Sequence, residues 1–340
     1  MENFIEYVHI QNFKSIVDLR LENCRRINLF IGYPNVGKSN VLEALGLFSV
    51  SFLDRGESLN KLVRVEDAIE LFHSSSGLNE CVISTDSQKI ELRLSPGLTV
   101  CHSDSKGDIY YYFTNDGVRL SNKANFDDLA NFDDKSNIKR YTFNSHNQWK
   151  SDNRKQLLPP FGENIIDVLS HSQDVSDVLN FIKQEFEKGG LQLVLNKKDK
   201  SILVQKSMNK EVVLLLPYSS LADTLQRLIF YKAAIASNKN SVLLFEEPEA
   251  HAFPPYIQEF THDIADAKTN QFFIVTHSPF IVNDFLKYED LRKEVAIYLF
   301  DYQNDQTVVK RLTDEDVSEV YEYGVDLFFN IERYLRDVYV

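Results

Sequence analysis

Eight consecutive residues, Gly32-Tyr33-Pro34-Asn35-Val36-Gly37-Lys38-Ser39, limit what this chain can become. They match G-x-x-x-x-G-K-[ST] in full. An apolar run, Ile27–Ile31, precedes them, and Val41, Leu42, Leu45 and Phe48 recur at helical spacing after them. A buried strand that turns through glycines into a helix surrounds a phosphate chain with backbone N–H groups at the positive end of the helix. The Lys38 ammonium is expected at the β- and γ-phosphates and the Ser39 hydroxyl on Mg²⁺, with Gly32, Asn35, Val36, Gly37 and Asn40 lining the cradle.

A phosphate loop does not name its nucleotide. The form Pro34-Asn35-Val36-Gly37-Lys38-Ser39 is also common in GTPases, and two tetrads lend that alternative support. Asn196-Lys197-Lys198-Asp199 fits the guanine-reading N-K-x-D, and Asp104-Ser105-Lys106-Gly107 fits D-x-x-G. Each reads equally well as a turn: residues 196–200 lie between two β-like runs, and no clean apolar strand leads into Asp104.

The second half of the chain favours ATP. Val242-Leu243-Leu244-Phe245-Glu246-Glu247-Pro248-Glu249 is a buried strand ending in adjacent carboxylates. Phosphoryl transfer depends on positioning and charge neutralisation, which two neighbouring acids can divide. Glu246 is expected in the Mg²⁺ shell, and Glu247 is expected to orient and deprotonate the attacking water. Phe272-Phe273-Ile274-Val275-Thr276-His277-Ser278-Pro279 is a further buried strand, ending in His277. Strands and helices alternate from Val242 to Phe300, the pattern of an α/β sheet. Ligands bind at the carboxyl edge of such sheets, which predicts His277 beside a γ-phosphate or the water.

The order of phosphate loop, Glu-Glu-Pro-Glu-Ala-His (246–251) and Thr-His-Ser-Pro (276–279) resembles the ABC-like ATPases of the RecF, SMC and OLD group. The opening segment Ile10-Gln11-Asn12-Phe13-Lys14-Ser15-Ile16 is similar to that group's first strand. The resemblance covers residues 5–50 and 210–300. It implies an ABC-type α/β head with a mixed sheet, an antiparallel β lobe and a small helical insertion, divided at 1–145, 146–190 and 191–340. It implies ATP and Mg²⁺ as cofactors, Lys14 and Asn35 as accessory nucleotide contacts, and Ala250-His251-Ala252-Phe253-Pro254 as a loop crossing a dimer interface. It also implies His277 as the switch histidine and two copies closing around two ATP molecules. A signature loop is expected near Tyr218–Thr224, where Ser219 and Ser220 stand but no glycine follows; they read equally as a helix N-cap before Leu221. Trans-activated turnover is therefore expected to be slow. Gln88 is one candidate for the glutamine-loop residue.

Charge and length narrow the role. Fifty acidic against 37 basic side chains give −13, the wrong sign for a broad phosphate-binding surface. Two local basic patches remain, Lys150, Arg154 and Lys155 beside Trp149, and Lys197, Lys198 and Lys200; both also read as solvated surface charge. The cysteines Cys24, Cys81 and Cys101 form no Cys-x-x-Cys pair, and no apolar run long enough to span a membrane or serve as a leader occurs, so a reducing cytoplasm is expected. No long heptad run is present, and about 30 residues follow Val309, too few for the nuclease domain of OLD-type proteins. The expectation is an ATP-dependent homodimer governing a separate nuclease or toxin, as in bacterial anti-phage modules. A RecF-like DNA clamp is the alternative. The tail from Asp326 carries Leu327, Phe328, Ile331 and Leu335 on one face, to close the core or dock a partner.

Overall fold

A computed structural model describes residues 4–335 except 75–79, 96, 115–118, 126–135, 146–147, 172–174 and 208–211. The chain divides into two compact units, one of 1–140, 240–247 and 271–340, the other of 141–239 and 248–270.

The first unit opens with a hairpin, β1 (Val8–Phe13) and β2 (Ile16–Leu21), followed by β3 (Ile27–Gly32) and helix α1 (Lys38–Gly46). Five strands, β4 (Glu80–Thr85), β5 (Lys89–Leu94), β6 (Leu98–Asp104), β7 (Gly107–Phe113) and β8 (Leu120–Asn125), build the antiparallel β lobe that the resemblance implies. With β1 and β2 they form a seven-stranded antiparallel sheet of order β2-β1-β4-β5-β6-β7-β8. One side of this sheet is apolar and buried, as Val8, Ile10, Ile83, Ile90, Leu92 and Val100 show. Strand β8 ends at Asn125 and β9 (Ile138–Tyr141) follows, while 126–135 lie outside the described residues.

The second unit holds α2 (Ile165–His171) and α3 (Ser176–Lys188). The chain leaves α3 through Gly189 and Gly190, the latter at φ 65°. Strands β10 (Leu191–Asn196), β11 (Ser201–Ser207) and β12 (Val213–Pro217) form an antiparallel sheet with β12 at its outer edge. On β12, Val213, Leu214 and Leu215 remain 43–53% exposed. Helix α4 (Asp223–Ser237) follows. After β13 (Val242–Glu246), a first-unit strand, the chain contributes α5 (Pro254–Asp266) to this unit, with Pro254 at the helix start, where a missing N–H costs nothing.

The remaining elements, β14 (Gln271–Val275), α6 (Pro279–Leu286), α7 (Glu289–Arg292), β15 (Val295–Gln303), β16 (Gln306–Arg311), α8 (Asp314–Glu322) and α9 (Leu327–Leu335), belong to the first unit. They complete a six-stranded sheet of order β16-β15-β3-β14-β13-β9. Strands β3, β14, β15 and β13 run parallel, and β16 returns antiparallel. Buried on both faces, the parallel strands are near-continuous apolar runs rather than alternating ones. Phe30, Phe273, Val275, Leu244 and Tyr298 face the same core as Val41, Leu42 and Leu45 of α1 and the apolar side of the seven-stranded sheet. Leu327, Ile331 and Leu335 of α9 are buried, so the amphipathic tail closes core. Among the described residues no helix is long and apolar enough to cross a membrane.

Candidate functional site

The sheet order decides the site. Strands β3, β14 and β13 are consecutive neighbours, with Phe30 in register with Val275 and Val275 with Glu246. All three are parallel, so the phosphate loop, His277 and the Glu246–Glu247 pair leave the sheet at one carboxyl edge, within the first unit.

The loop after β3 is shaped by its backbone. Asn35 takes φ 64°, and Gly37, at the N-cap of α1, takes φ 95°, a conformation that favours glycine. A Cβ on Gly37 would strike the hydroxyl of Thr307 and crowd that of Ser15. Those hydroxyls lie 2.6 Å apart, and the Asn40 amide donates to Ser15 Oγ at 2.7 Å. Asn40, expected to line the cradle, is thus engaged beneath the loop. Gly32 is equally confined, since a Cβ there would lie 2.6 Å from the Phe300 carbonyl, with Val36 packed beside it.

Lys38 is buried and donates to the carbonyls of Gly32 (2.8 Å) and Tyr33 (2.7 Å). Burial lowers its pKa to about 8 against the opposing pull of Glu247 and Glu246. The Ser39 hydroxyl is hydrogen-bonded to the Glu246 carboxylate. Burial raises the Glu246 carboxyl, but Arg140, Ser39 and Arg64 outweigh it and hold the group below the ordinary carboxylate value. Glu247 adopts φ 44°, unusual for a residue with a side chain, and its N–H donates to the Val275 carbonyl at 2.9 Å. His277 Nε2 lies 3.4 Å from Glu247 Oε1, both side chains half exposed. Burial and the Lys38 charge lower the His277 pKa against Glu247, which keeps the ring neutral at pH 7.

Ser39 and Glu246 offer two hard oxygen donors in mutual contact, a set that fits Mg²⁺, which retains several waters and shares substrate phosphates. No cluster of three or more His, Cys, Asp or Glu suited to a metal occurs among the described residues. When bound, the ion would neutralise charge developing on the phosphates.

Residues that the motif reading missed surround this pair. Glu43, one helical turn beyond Ser39, is wholly buried, with Lys14 Nζ at 2.5 Å and Arg64 Nε at 2.6 Å. Lys14, expected at the nucleotide, also donates to the Arg64 carbonyl at 2.6 Å. Arg140 donates to Glu246 Oε2 at 2.7 Å and lies 4.0 Å from Glu43 Oε1. A glutamate at a core position of an apolar helix was the available signal for Glu43. Arg140 and Arg64 carry no motif.

Other expected groups lie elsewhere. Ser219 and Ser220 are exposed in a 3₁₀ turn of the second unit, and neither caps α4, whose N-cap is Ala222; the capping expectation fails. In the 250–254 loop, His251 takes φ 62° and its carbonyl accepts from the Thr224 hydroxyl at 2.5 Å. Gln88 bonds Asn137 at 2.6 Å and Ser136 at 3.1 Å. Both GTPase tetrads are hairpin turns: Asp104 pairs with Gly107 across β6–β7, and Asn196 bonds Asp199 at 2.8 Å between β10 and β11. In the patch beside Trp149, Lys150 pairs with Glu163 at 2.8 Å and Arg154 with Asp152 at 3.2 Å.

A phosphate loop, an acid pair and a histidine on one edge of a mixed sheet define a P-loop ATPase head. The chain belongs to the family described as "AAA domain, putative AbiEii toxin, Type IV TA system", which residues 27–283 match. It is similar to an uncharacterized protein of Methanocaldococcus jannaschii, 52% identical over 44 residues, 13% of this chain and 20% of that one. It is also similar to the DNA replication and repair protein RecF of Caldanaerobacter subterraneus subsp. tengcongensis, 33% identical over 64 residues, 19% of this chain and 18% of that one. The chain thus spans about a fifth of the length of the curated relatives it matches. Two solved Smc heads share the fold. One is bound to the C-winged helix domain of ScpA (TM-score 0.53, 14% identity, 93% of this chain and 99% of that one). The other has an extended coiled coil and is bound to the C-terminal domain of ScpA derived from Pyrococcus furiosus (TM-score 0.53, 13% identity, 94% and 99%). The fold is therefore an α/β SMC/ABC-like head with a mixed sheet and an antiparallel β lobe.

Proposed function

We propose that this protein binds Mg·ATP, hydrolyses it slowly, and uses the bound nucleotide to close two copies of itself, thereby controlling a separate nuclease or toxin in a bacterial defence-type complex of the cytoplasm. The observation that carries the reading is the convergence of Lys38, Ser39, Glu246, Glu247 and His277 on one sheet edge. Glu247 takes a proton from the attacking water, and the neutral His277 beside it holds that water or a γ-phosphate oxygen. Lys38 carries part of the phosphate charge, and Ser39 and Glu246 would hold a Mg²⁺ that would neutralise more of it. Ser219 and Ser220 complete the site of the opposite copy, and without a following glycine they do so weakly, which accounts for slow turnover. The toxin–antitoxin description of the family supports the effector role. The test is Glu247→Gln with ATP, measured by light scattering and used as bait in its native host. A stable dimer that retains one specific protein is expected. A monomer at saturating ATP overturns the reading.

The RecF similarity favours a second reading, a clamp on duplex DNA. It requires salt-dependent duplex binding by the purified protein that is lost when Lys150 and Arg154 are neutralised. The net charge of −13 and the acidic partners of both residues weigh against it.

A further inference from the structure

Arg140 has no role in the motif reading, yet its placement is costly and specific. It lies on β9, next to the strand that ends in Glu246, with its side chain 6% exposed. Burying a guanidinium is unfavourable unless its donors are paired. One arm donates to Glu246 Oε2 at 2.7 Å, the other donates to the Leu62 carbonyl and faces Glu43 Oε1 at 4.0 Å, and only the buried Nε lacks a partner among the described residues. Space for its stem comes from α1: a Cβ on Gly46 would lie 2.9 Å from Arg140 Cδ. Glu43, on the same helix as Ser39, is fixed in turn by Lys14 and Arg64. Arg140 therefore joins the strand carrying Glu246 to the helix carrying Ser39.

We infer that Arg140 is the positioning residue for the metal site: it holds one oxygen of Glu246 so that the carboxylate meets the Ser39 hydroxyl in the arrangement a divalent cation needs. This rests on the reading of Glu246 as the metal carboxylate. Planar two-armed donors suit this task, and a lysine ammonium at the same place cannot reach Glu246 and Leu62 in one geometry. The sign of the effect separates positioning from simple electrostatics. Removing a positive charge beside a cation site strengthens cation binding if charge alone matters. Losing the clamp weakens it.

The experiment is Mn²⁺ titration by electron paramagnetic resonance of the full chain with saturating ADP, for wild type, Arg140→Lys, Arg140→Gln and Glu246→Gln. Nucleotide affinity in EDTA and thermal melts run alongside. Arg140→Gln is expected to weaken Mn²⁺ by about 10–100-fold, the usual effect of losing a residue that orients a metal ligand. Arg140→Lys is expected to weaken it less, and metal-free nucleotide affinity stays at the wild-type value in both. Wild-type or tighter Mn²⁺ binding in the Arg140 variants overturns the inference, as does a parallel loss of metal-free nucleotide affinity. If Arg140→Gln does not fold, Arg140→Lys, which keeps the buried charge, decides alone. Wild-type Mn²⁺ binding in Glu246→Gln sinks the underlying assignment instead, so the two failures are distinguishable.

Discussion

Raising the pH should weaken nucleotide binding about 2.5 pH units earlier than an ordinary lysine allows. The Lys38 ammonium must be protonated to attract phosphate, and burial brings its pKa from 10.5 to about 8. With that value roughly nine-tenths of the free protein carries the charge at pH 7 and roughly one-tenth at pH 9. Bound phosphate keeps the ammonium protonated, so the dissociation constant for Mg·ATP should rise about ten-fold between those pH values, approaching ten-fold per unit above. A fluorescent ATP analogue titrated at saturating Mg²⁺ from about pH 6.5 to 9.5 measures this directly. Because Glu247 pulls the Lys38 pKa upward, Glu247→Gln should move the inflection to lower pH. An affinity that stays flat to about pH 9.5, or an inflection that moves upward in Glu247→Gln, refutes the argument.

The other expected outcomes concern single side chains. Glu247→Gln should lower phosphate release by about 10²–10⁴-fold while ATP still raises the melting temperature. Gly37→Ala forces a Cβ onto Thr307 at φ 95°, and the thermal shift produced by ATP should disappear. Glu43→Ala leaves Lys14, Arg64 and Arg140 side by side without their shared carboxylate, and urea denaturation should show a loss of about 3–5 kcal/mol. Leu214→Lys, on the exposed outer edge of β12, should change stability by less than about 0.5 kcal/mol and reduce light scattering at high concentration.

Much of the first unit was legible because its signals are local. Ile27–Gly32, Val242–Glu246 and Gln271–Val275 are largely apolar runs that lead into a glycine loop, an acid pair and a histidine, and short runs so bounded suit strands buried on both faces. Their common edge followed from strand–helix alternation. What the sequence could not supply is pairing at long range. Glu43 and Arg140 lie 97 residues apart, and neither has a neighbour in the chain that announces the other. Thr307 and Ser15, which support Gly37, come from opposite ends of the first unit. Ser219 and Ser220 do not cap for the opposite reason: hydroxyls just before a helix commonly cap it, but here they lie in a 3₁₀ turn, and Leu221 and Ala222 separate them from α4.

The position of β3 in its sheet bears on how the chain is made. Its two partners, β14 and β15, begin only at Gln271 and Val295. A ribosome working at roughly 5–20 residues per second needs roughly 13–50 s to deliver the second of them. Until then Ile27, Leu29, Phe30 and Ile31, just before the phosphate loop, lack one or both of their partner strands. The nascent chain thus carries a sticky ribbon for most of its synthesis, and its yield in a cell should depend on whatever shields that ribbon until β14 and β15 emerge.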